Sequence, residues 1–236
     1  MSDIIDKMQR VEFKYILTKE QTEYLKEQLI GHMEIDKFGL TSIASLYYDT
    51  PDYRLIRTSI EKPKYKEKIR LRSYGLATNN SPVYLELKRK VNGLVYKRRI
   101  KTTINIISGF FENKEPLGVN SQIAKEITFF RDYYKNLQPS CLIIYDRVAY
   151  FEPNGNLRLT LDSNPRFRFD NLNLTSSLDG ISILPSGNTI LEIKVQGAMP
   201  LWLSHILDKG NIRKGSISKY GEAYKQKSQH VLERVY

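Results

Sequence analysis

The stretch that most restricts what this chain can become is KEKIRLRSYG, Lys66 to Gly75. Lys66, Lys68, Arg70 and Arg72 occupy even positions, with Ile69 and Leu71 between them. Side chains of an extended strand alternate between its two faces with a period of two. One face of this strand therefore carries four like charges, and the other carries aliphatic groups. Like charges at that spacing repel unless an anion sits among them. The same division recurs along the chain. In VYLELKRK, Leu85 and Leu87 oppose Glu86, Lys88 and Lys90. In NLRLTLD, Leu157, Leu159 and Leu161 oppose Arg158, Thr160 and Asp162. In TILEIKVQ, Leu191, Ile193 and Val195 oppose Glu192, Lys194 and Gln196. Val11 and Phe13 alternate with Arg10, Glu12 and Lys14, and Tyr145 shares a parity with Arg147.

A solvated antiparallel sheet face accounts for any one such strand. Several together, mostly basic, favour a closed sheet. Its aliphatic faces would turn outward under helices, and its charged faces would line a central cavity. Such a cavity concentrates positive potential and favours a polyanion. The carboxylates Glu12, Glu86, Asp162 and Glu192 lie on the charged faces. They either pair with the bases or hold Mg²⁺ or Mn²⁺ together with phosphate oxygens. Arg supplies bidentate recognition of phosphate and Lys a point charge.

The formal net charge of +11 agrees with an anionic partner: nucleic acid, an acidic membrane surface or a phosphorylated small molecule. Hydrophobic content of 41% and charged content of 27% describe a globular chain rather than a disordered one. A length of 236 residues suits one large domain or two small ones. No internal repeat or linker marks a boundary, so a single domain over 1–236 is expected. Cys141 is the only cysteine, which excludes an intramolecular disulfide and a thiolate cluster. Within CLII it reads as a small buried hydrophobe. The opening MSDIIDKMQR has no apolar core of leader length. No apolar run approaches the roughly 20 residues of a membrane helix. A cytoplasmic protein without membrane insertion is expected. There is no Walker A sequence and no Rossmann glycine fingerprint. His32, His205 and His230 are scattered and read as structural or surface residues.

Strand patterns cover Arg10–Leu17, Ser42–Asp49, Lys66–Tyr74, Val83–Val91, Leu94–Thr102, Cys141–Phe151, Asn156–Asp162 and Thr189–Gln196. Asn92-Gly93 predicts a type I′ hairpin. Thr18-Lys-Glu-Gln21 has the form of a capping box, with Leu25 and Leu29 following at helical spacing. Further helices are expected from Ser121, over Pro200–Leu207 closed by Gly210, and over Tyr220–Glu233 with Ala223, Tyr224 and Val231 on one face. Eight strands and four helices describe an α+β fold with antiparallel pairing.

The motifs also occur in a recognisable order. Arg10, Glu12, Lys14 and Tyr15 form R-x-E-x-K-Y, followed by S-L-Y-Y-D-T (Ser45 to Thr50) and K-I-R-L-R-S-Y-G (Lys68 to Gly75). Next come E-L-K-R-K-x-N-G-x-V-x-K-R-R (Glu86 to Arg99), Y-D-R (Tyr145 to Arg147) and R-L-T-L-D (Arg158 to Asp162). L-E-I-K (Leu191 to Lys194) and S-K-Y-G (Ser218 to Gly221) complete the set. From about Arg10 to Tyr224 this resembles the VTC domain, the catalytic domain of polyphosphate polymerases, within the triphosphate tunnel metalloenzymes. The resemblance implies an eight-stranded antiparallel tunnel with helices packed outside. It also implies transfer of the γ-phosphate of ATP to inorganic polyphosphate, with Mn²⁺ or Mg²⁺. Carried over, Lys14, Arg70, Arg72, Lys68, Lys88, Arg147, Arg158 and Lys194 grip phosphate. Lys97 joins them if the hairpin strand faces the right way. Ser218 and Lys219 close one end, Tyr145 hydrogen-bonds phosphate, and Glu192 is the principal metal ligand, with Glu12, Glu86 and Asp162 as further candidates. Many relatives open with E-x-E-x-K, whereas Arg10 stands here at the first Glu position. That removes one carboxylate and weakens the case for two-metal hydrolysis.

Two other readings remain open on the sequence. A triphosphatase on the same fold would place water where the acceptor phosphate sits. A non-catalytic polyphosphate or nucleic-acid binder would use the 16 tyrosines for stacking, although no RNA-module signature is present and no nucleic acid is expected as partner. A cyclase of the same superfamily fits the opening motif and S-K-Y-G less well.

Overall fold

The computed structural model describes residues 10–233. The leader reading of Met1–Gln9 lies outside the described residues, as do the side chains of Arg10, His230 and Val231. Among the described residues the elements are β1 Arg10–Leu17, α1 Lys19–Gln28, β2 Glu34–Ile35, β3 Thr41–Asp49, α2 Arg54–Ile60 and β4 Tyr65–Tyr74. They continue with β5 Val83–Val91, β6 Leu94–Thr102, α3 Ile104–Glu112, α4 Gln122–Tyr134 and β7 Gln138–Phe151. The series ends with β8 Arg158–Arg168, β9 Ile181–Ser182, β10 Thr189–Gln196, α5 Leu201–Lys209, β11 Lys214–Gly215 and α6 Lys219–Glu233.

The eight expected strands are all present, and β1–β10, β10–β8, β3–β4, β4–β5 and β5–β6 pair antiparallel. The additional strands β2, β9 and β11 are two residues each, too short to carry an alternation signal. β8 continues to Arg168 rather than ending at Asp162, because Ser163-Asn-Pro165 has turn composition and masks the extension. Asn164 takes a positive φ of 46° inside that strand. At the β5–β6 turn, Asn92 and Gly93 have φ of 48° and 89°, the left-handed pair that a type I′ hairpin requires. Thr18 and Gln21 form the reciprocal capping box of α1. Ser121 caps α4 through the Ala124 N–H, and Gly210 follows α5.

Two helices carry no local start signal. At α2 the residue before the helix, Tyr53, is left-handed and offers no side-chain cap. The cap comes from further back: Asp49 accepts from the Leu55 and Ile56 amides at 2.8 and 3.0 Å, and Thr50 Oγ1 accepts from the Arg54 amide at 2.9 Å. The almost wholly apolar α3 likewise begins without a side-chain cap at Thr103.

The chain forms two compact units, each drawn from three segments. Unit one takes residues up to Thr41, Asp146–Pro165 and Leu184–Ile217; unit two takes Ser42–Tyr145, Arg166–Ile183 and residues from Ser218 onward. In unit one the strand order is β11-β1-β10-β8, followed by the C-terminal half of β7. Its aliphatic face, with Leu159, Leu161, Leu191 and Ile193, packs under Leu25 of α1, Leu29 at that helix's C-terminal cap, and Leu203 and Leu207 of α5. In unit two the N-terminal half of β7 leads into β3-β4-β5-β6. There Ile69, Leu71, Leu85, Leu87 and Ile100 pack with Ile107 and Phe110 of α3 and Ile127 and Phe130 of α4. On that same outward face Glu67 pairs with Arg89 and accepts from the Tyr134 hydroxyl at 3.0 Å. Cys141 is fully buried.

Adjacent residues of β5 test this division of faces. Leu87 is fully buried and Lys88 is exposed. Leu87→Ala is expected to cost about 2–5 kcal/mol in urea unfolding, and Lys88→Ala to change stability by no more than about 0.5 kcal/mol.

Candidate active site

Residues directly opposite each other in antiparallel strands project to the same face. In unit two the register therefore builds charged rows on the face away from the helices. One row is Ser45, Arg72, Tyr84 and Lys101; the next is Tyr47, Arg70, Glu86 and Arg99. A third is Lys68, Lys88 and Lys97, and a fourth pairs Lys66 with Lys90. The β5–β6 register settles the facing of Lys97, which shares a face with Glu86 and reaches its Oε1 at 3.0 Å.

Glu86 is the hub. It is 2% exposed. Arg70 donates to its Oε2 through Nε at 2.8 Å; Arg72 Nη1 lies 3.8 Å from Oε2, and Arg99 Nε lies 3.6 Å from Oε1. Burial pushes the Glu86 carboxyl up, but Arg70, Arg72 and Lys97 outweigh it and hold it at about 2. A single carboxylate cannot neutralise this group. Lys97 is held below the usual lysine range by burial, with Arg72 and Arg70 repelling its charge while Glu86 attracts it. Lys66 is lowered too, by burial and then by Lys90, Lys62 and Lys88. The guanidiniums are aimed by neutral groups. Arg70 Nη1 donates to the Tyr47 hydroxyl at 3.0 Å, and Arg72 donates to the Tyr145 hydroxyl at 3.1 Å and to Ser45 at 3.3 Å. Burial would raise the Tyr47 phenol, yet Arg70, Lys68 and Arg72 bring it below its ordinary value.

The S-K-Y-G stretch adds the start of α6. Ser218 Oγ accepts from the Gly221 amide at 3.2 Å, which makes it the helix cap, and from Lys68 Nζ at 3.1 Å. Lys219 Nζ lies over the Tyr145 ring, 4.5 Å from its centroid. The positive end of the helix thus adds to the cations of the strands.

Unit one carries a second cluster. Its rows are Lys14, Glu192 and Thr160, then Glu12, Lys194 and Arg158. Lys14 donates to Glu192 Oε1 at 2.9 Å and lies 3.3 Å from Glu12 Oε1. Burial opposes the Lys14 charge, but Glu192 and Glu12 outweigh it and raise its pKa. Lys194 is lowered by burial, with Glu192 and Glu12 attracting and Arg147 and Lys14 repelling. Arg147 holds Asp162 with two parallel bonds, Nη2 to Oδ2 at 2.8 Å, and approaches Glu192 Oε2 at 3.6 Å. Arg158 is exposed beside Lys194.

Among the described residues no three of His, Cys, Asp or Glu gather as a metal cage. The donor set of unit one nevertheless suits a Mg²⁺-type ion, which takes one or two carboxylates and completes its shell with water and substrate phosphate. Glu12 and Glu192 converge on a single point, now the Lys14 ammonium, and the buried Thr160 hydroxyl in the Glu192 row has no hydrogen-bond partner. Glu86 and Asp162 are instead engaged by the cations around them. Two side chains of the charged face escaped the sequence reading. Arg99 follows Lys97 by two residues and so shares its face, and Tyr47 shares the face of Arg70 through β3. Of the histidines whose side chains are described, His32 stacks on Trp202 and His205 is exposed.

A family model described as the VTC domain matches residues 9–227. A protein of Bacillus halodurans, named as a candidate adenylate cyclase, superimposes with a TM-score of 0.56 at 15% identity, over 89% of this chain and 93% of its own. A candidate adenylyl cyclase of Hippeastrum, described as having a dominant triphosphatase activity, gives 0.54 at 18% identity, over 90% and 93%. No curated protein matches the chain. The fold is the antiparallel α+β fold of the triphosphate tunnel proteins, and family and fold together place the chain among triphosphate-tunnel-type enzymes.

The Glu86 carboxylate keeps its charge in the fold down to about pH 2, whereas an unfolded glutamate takes up its proton near 4.5. Its contribution is therefore complete above 4.5 and is lost as pH falls toward 2, on the order of 3 kcal/mol. In urea unfolding, wild type is expected to lose that much more stability than Glu86→Gln between about pH 5 and about pH 2.

Proposed function

We propose, since the chain belongs to the VTC-domain family, that it is a polyphosphate polymerase transferring the γ-phosphate of ATP to inorganic polyphosphate. The observation that carries this reading is the length of the cationic face in unit two. From Arg72 to Lys66 the rows extend over seven residues of β4, about 20 Å at strand spacing. That track is longer than a triphosphate reaches, and it suits an extended polyanion.

Arg70, Arg72 and Arg99 supply planar donors for phosphate oxygens, and Lys68, Lys88, Lys97 and Lys219 supply point charges. Tyr145 and Ser218 offer hydroxyls at the Arg72 and Lys68 ends. In unit one, Lys14, Arg147, Arg158 and Lys194 take the same role, and Glu192 with Glu12 would hold Mn²⁺ or Mg²⁺. Such an ion supplies charge neutralisation on phosphate oxygens. Phosphoryl transfer asks little covalent chemistry of the protein, so positioning and fixed charge carry most of the catalysis. The acceptor phosphate is already anionic and needs no strong base. The second reading, a triphosphatase, has the Hippeastrum protein in its favour. On the same residues it requires only water in place of the acceptor. Among the described residues no helix is long and apolar enough to cross a membrane.

Purified protein with ATP and Mn²⁺, with and without a short polyphosphate primer, separates the two. Long polymer on a gel with matching ADP is the expected result. Phosphate released from inorganic triphosphate without polymer would overturn it in favour of hydrolysis. Glu192→Ala is expected to abolish metal-dependent turnover while calorimetry still detects tripolyphosphate binding. Arg70→Ala is expected to weaken that binding about tenfold or more, the scale of a lost charge-assisted hydrogen bond.

A further inference from the structure

The S-K-Y-G stretch contains a tyrosine that the phosphate-gripping scheme does not use. Tyr220 is 2% exposed. Its hydroxyl donates to Asp49 Oδ2 at 3.0 Å and lies 2.8 Å from Ser140 Oγ. Asp49 is itself immovable. It is fully buried and accepts from the amides of Thr50, Leu55 and Ile56 at 2.9, 2.8 and 3.0 Å. Three backbone donors from the end of β3 and the first turn of α2 thus fix the carboxylate, and the carboxylate fixes the phenol.

The ring of Tyr220 faces the charged rows. It stacks on Tyr47 at 4.5 Å between centroids, and Tyr47 in turn accepts from Arg70. Lys68 Nζ lies 5.9 Å from the Tyr220 centroid. Immediately before Tyr220 in sequence, Ser218 meets Lys68 and Lys219 covers Tyr145. Gly221 is held equally closely. A Cβ there would stand 3.2 Å from Ser218 Cβ and 3.3 Å from its Oγ, so the bare backbone lets Ser218 cap the helix.

We infer that Asp49 and Tyr220 are positioning residues: a buried carboxylate–phenol strut that sets the first turn of α6 so that Ser218 and Lys219 stand at the phosphate site. This rests on the phosphotransferase reading of that site. Neither residue touches the phosphates. Their effect passes through Lys219 and Ser218, and it is exerted on the reacting geometry more than on ground-state binding, because the strand cations remain in place. Misplacing a positioning group by a fraction of a turn costs catalysis without unfolding the chain.

The test uses the full chain as wild type, Tyr220→Phe, Lys219→Ala and the double variant. ADP formation from ATP with Mn²⁺ gives kcat and KM, calorimetry gives tripolyphosphate affinity, and urea unfolding confirms that each variant is folded. Tyr220→Phe keeps the ring and the Tyr47 stack. It is expected to lower kcat about tenfold or more while KM stays within about threefold. In the Lys219→Ala background the same change is expected to remove less than about twofold more, because residues acting as a unit are non-additive. Unchanged kcat in folded Tyr220→Phe, or losses that multiply in the double variant, would overturn the inference. Should Tyr220→Phe fail to fold, Ser140→Ala removes the other partner of the phenol and is expected to lower kcat about threefold. Wild-type kcat in folded Ser140→Ala would then overturn it. If wild type neither binds tripolyphosphate nor forms ADP, the proposed function fails. If wild type turns over and the strut variants match it, only the positioning role fails.

Discussion

One buried carboxylate keeps the basic face of unit two together. Glu86 lies within ion-pair distance of Arg70, Arg72, Lys97 and Arg99. Taking a carboxylate out of water is costly unless it is paired, and here it is paired several times over. The converse holds for the cations, which share one counter-charge. Burial lowers the pKa values of Lys66 and Lys97, and repulsion from neighbouring cations adds to it at both. A polyanion entering the face would therefore relieve repulsion already present in the fold. On the proposed function, affinity for phosphate would follow from incomplete neutralisation as much as from any individual contact.

The shortage is tolerated because the opposite face supplies the stability. A strand with Ile69 and Leu71 on one side and Lys68, Arg70 and Arg72 on the other can only be stable if the first side is covered. In unit two α3 and α4 cover it, with fully buried Leu85, Leu87, Ile127 and Phe110. Even charge on that outward side is neutralised locally, as at Glu67 with Arg89 and Tyr134. The helices thus hold a face whose own electrostatics oppose folding. Stability has been given up where function needs charge.

Much of this was legible in the sequence, because a period of two assigns each residue to a face without knowledge of the fold. Alternation puts Lys68, Arg70, Glu86 and Lys88 on charged faces, and in the structure the Asn92-Gly93 turn joins β5 to β6 in the register that sets Lys88 opposite Lys97. The facing of Lys97 stays open on the sequence even with that turn in place; the observed β5–β6 register settles it, and Arg99 follows by one more step of two. Other features were hidden for a common reason. The start of α2 depends on Asp49, whose carboxylate acts on Leu55 and Ile56 rather than on a neighbour at capping distance. The partnership of Asp49 with Tyr220 joins residues 171 apart in sequence, and nothing local announces it. Local periodicity writes faces into a sequence; long-range hydrogen bonds leave no such trace.

The two units differ in a way that bears on chemistry. In unit one each carboxylate has a defined partner: Asp162 is clasped by Arg147, and Glu12 and Glu192 share Lys14. A cluster so nearly balanced would take phosphate chiefly together with a metal, because it can trade one cation for another. A divalent ion offers Glu12 and Glu192 twice the charge of the ammonium, and hard cations accept carboxylate and phosphate oxygens in one shell. In unit two the imbalance runs the other way, with many donors and one acceptor, and no divalent cation would be stable among those guanidiniums. On the proposed function, charge balance would separate a region suited to exchange Lys14 for a metal from a region suited to hold a long row of phosphates. That difference is fixed by which side chains the register places beside Glu192 and which it places beside Glu86.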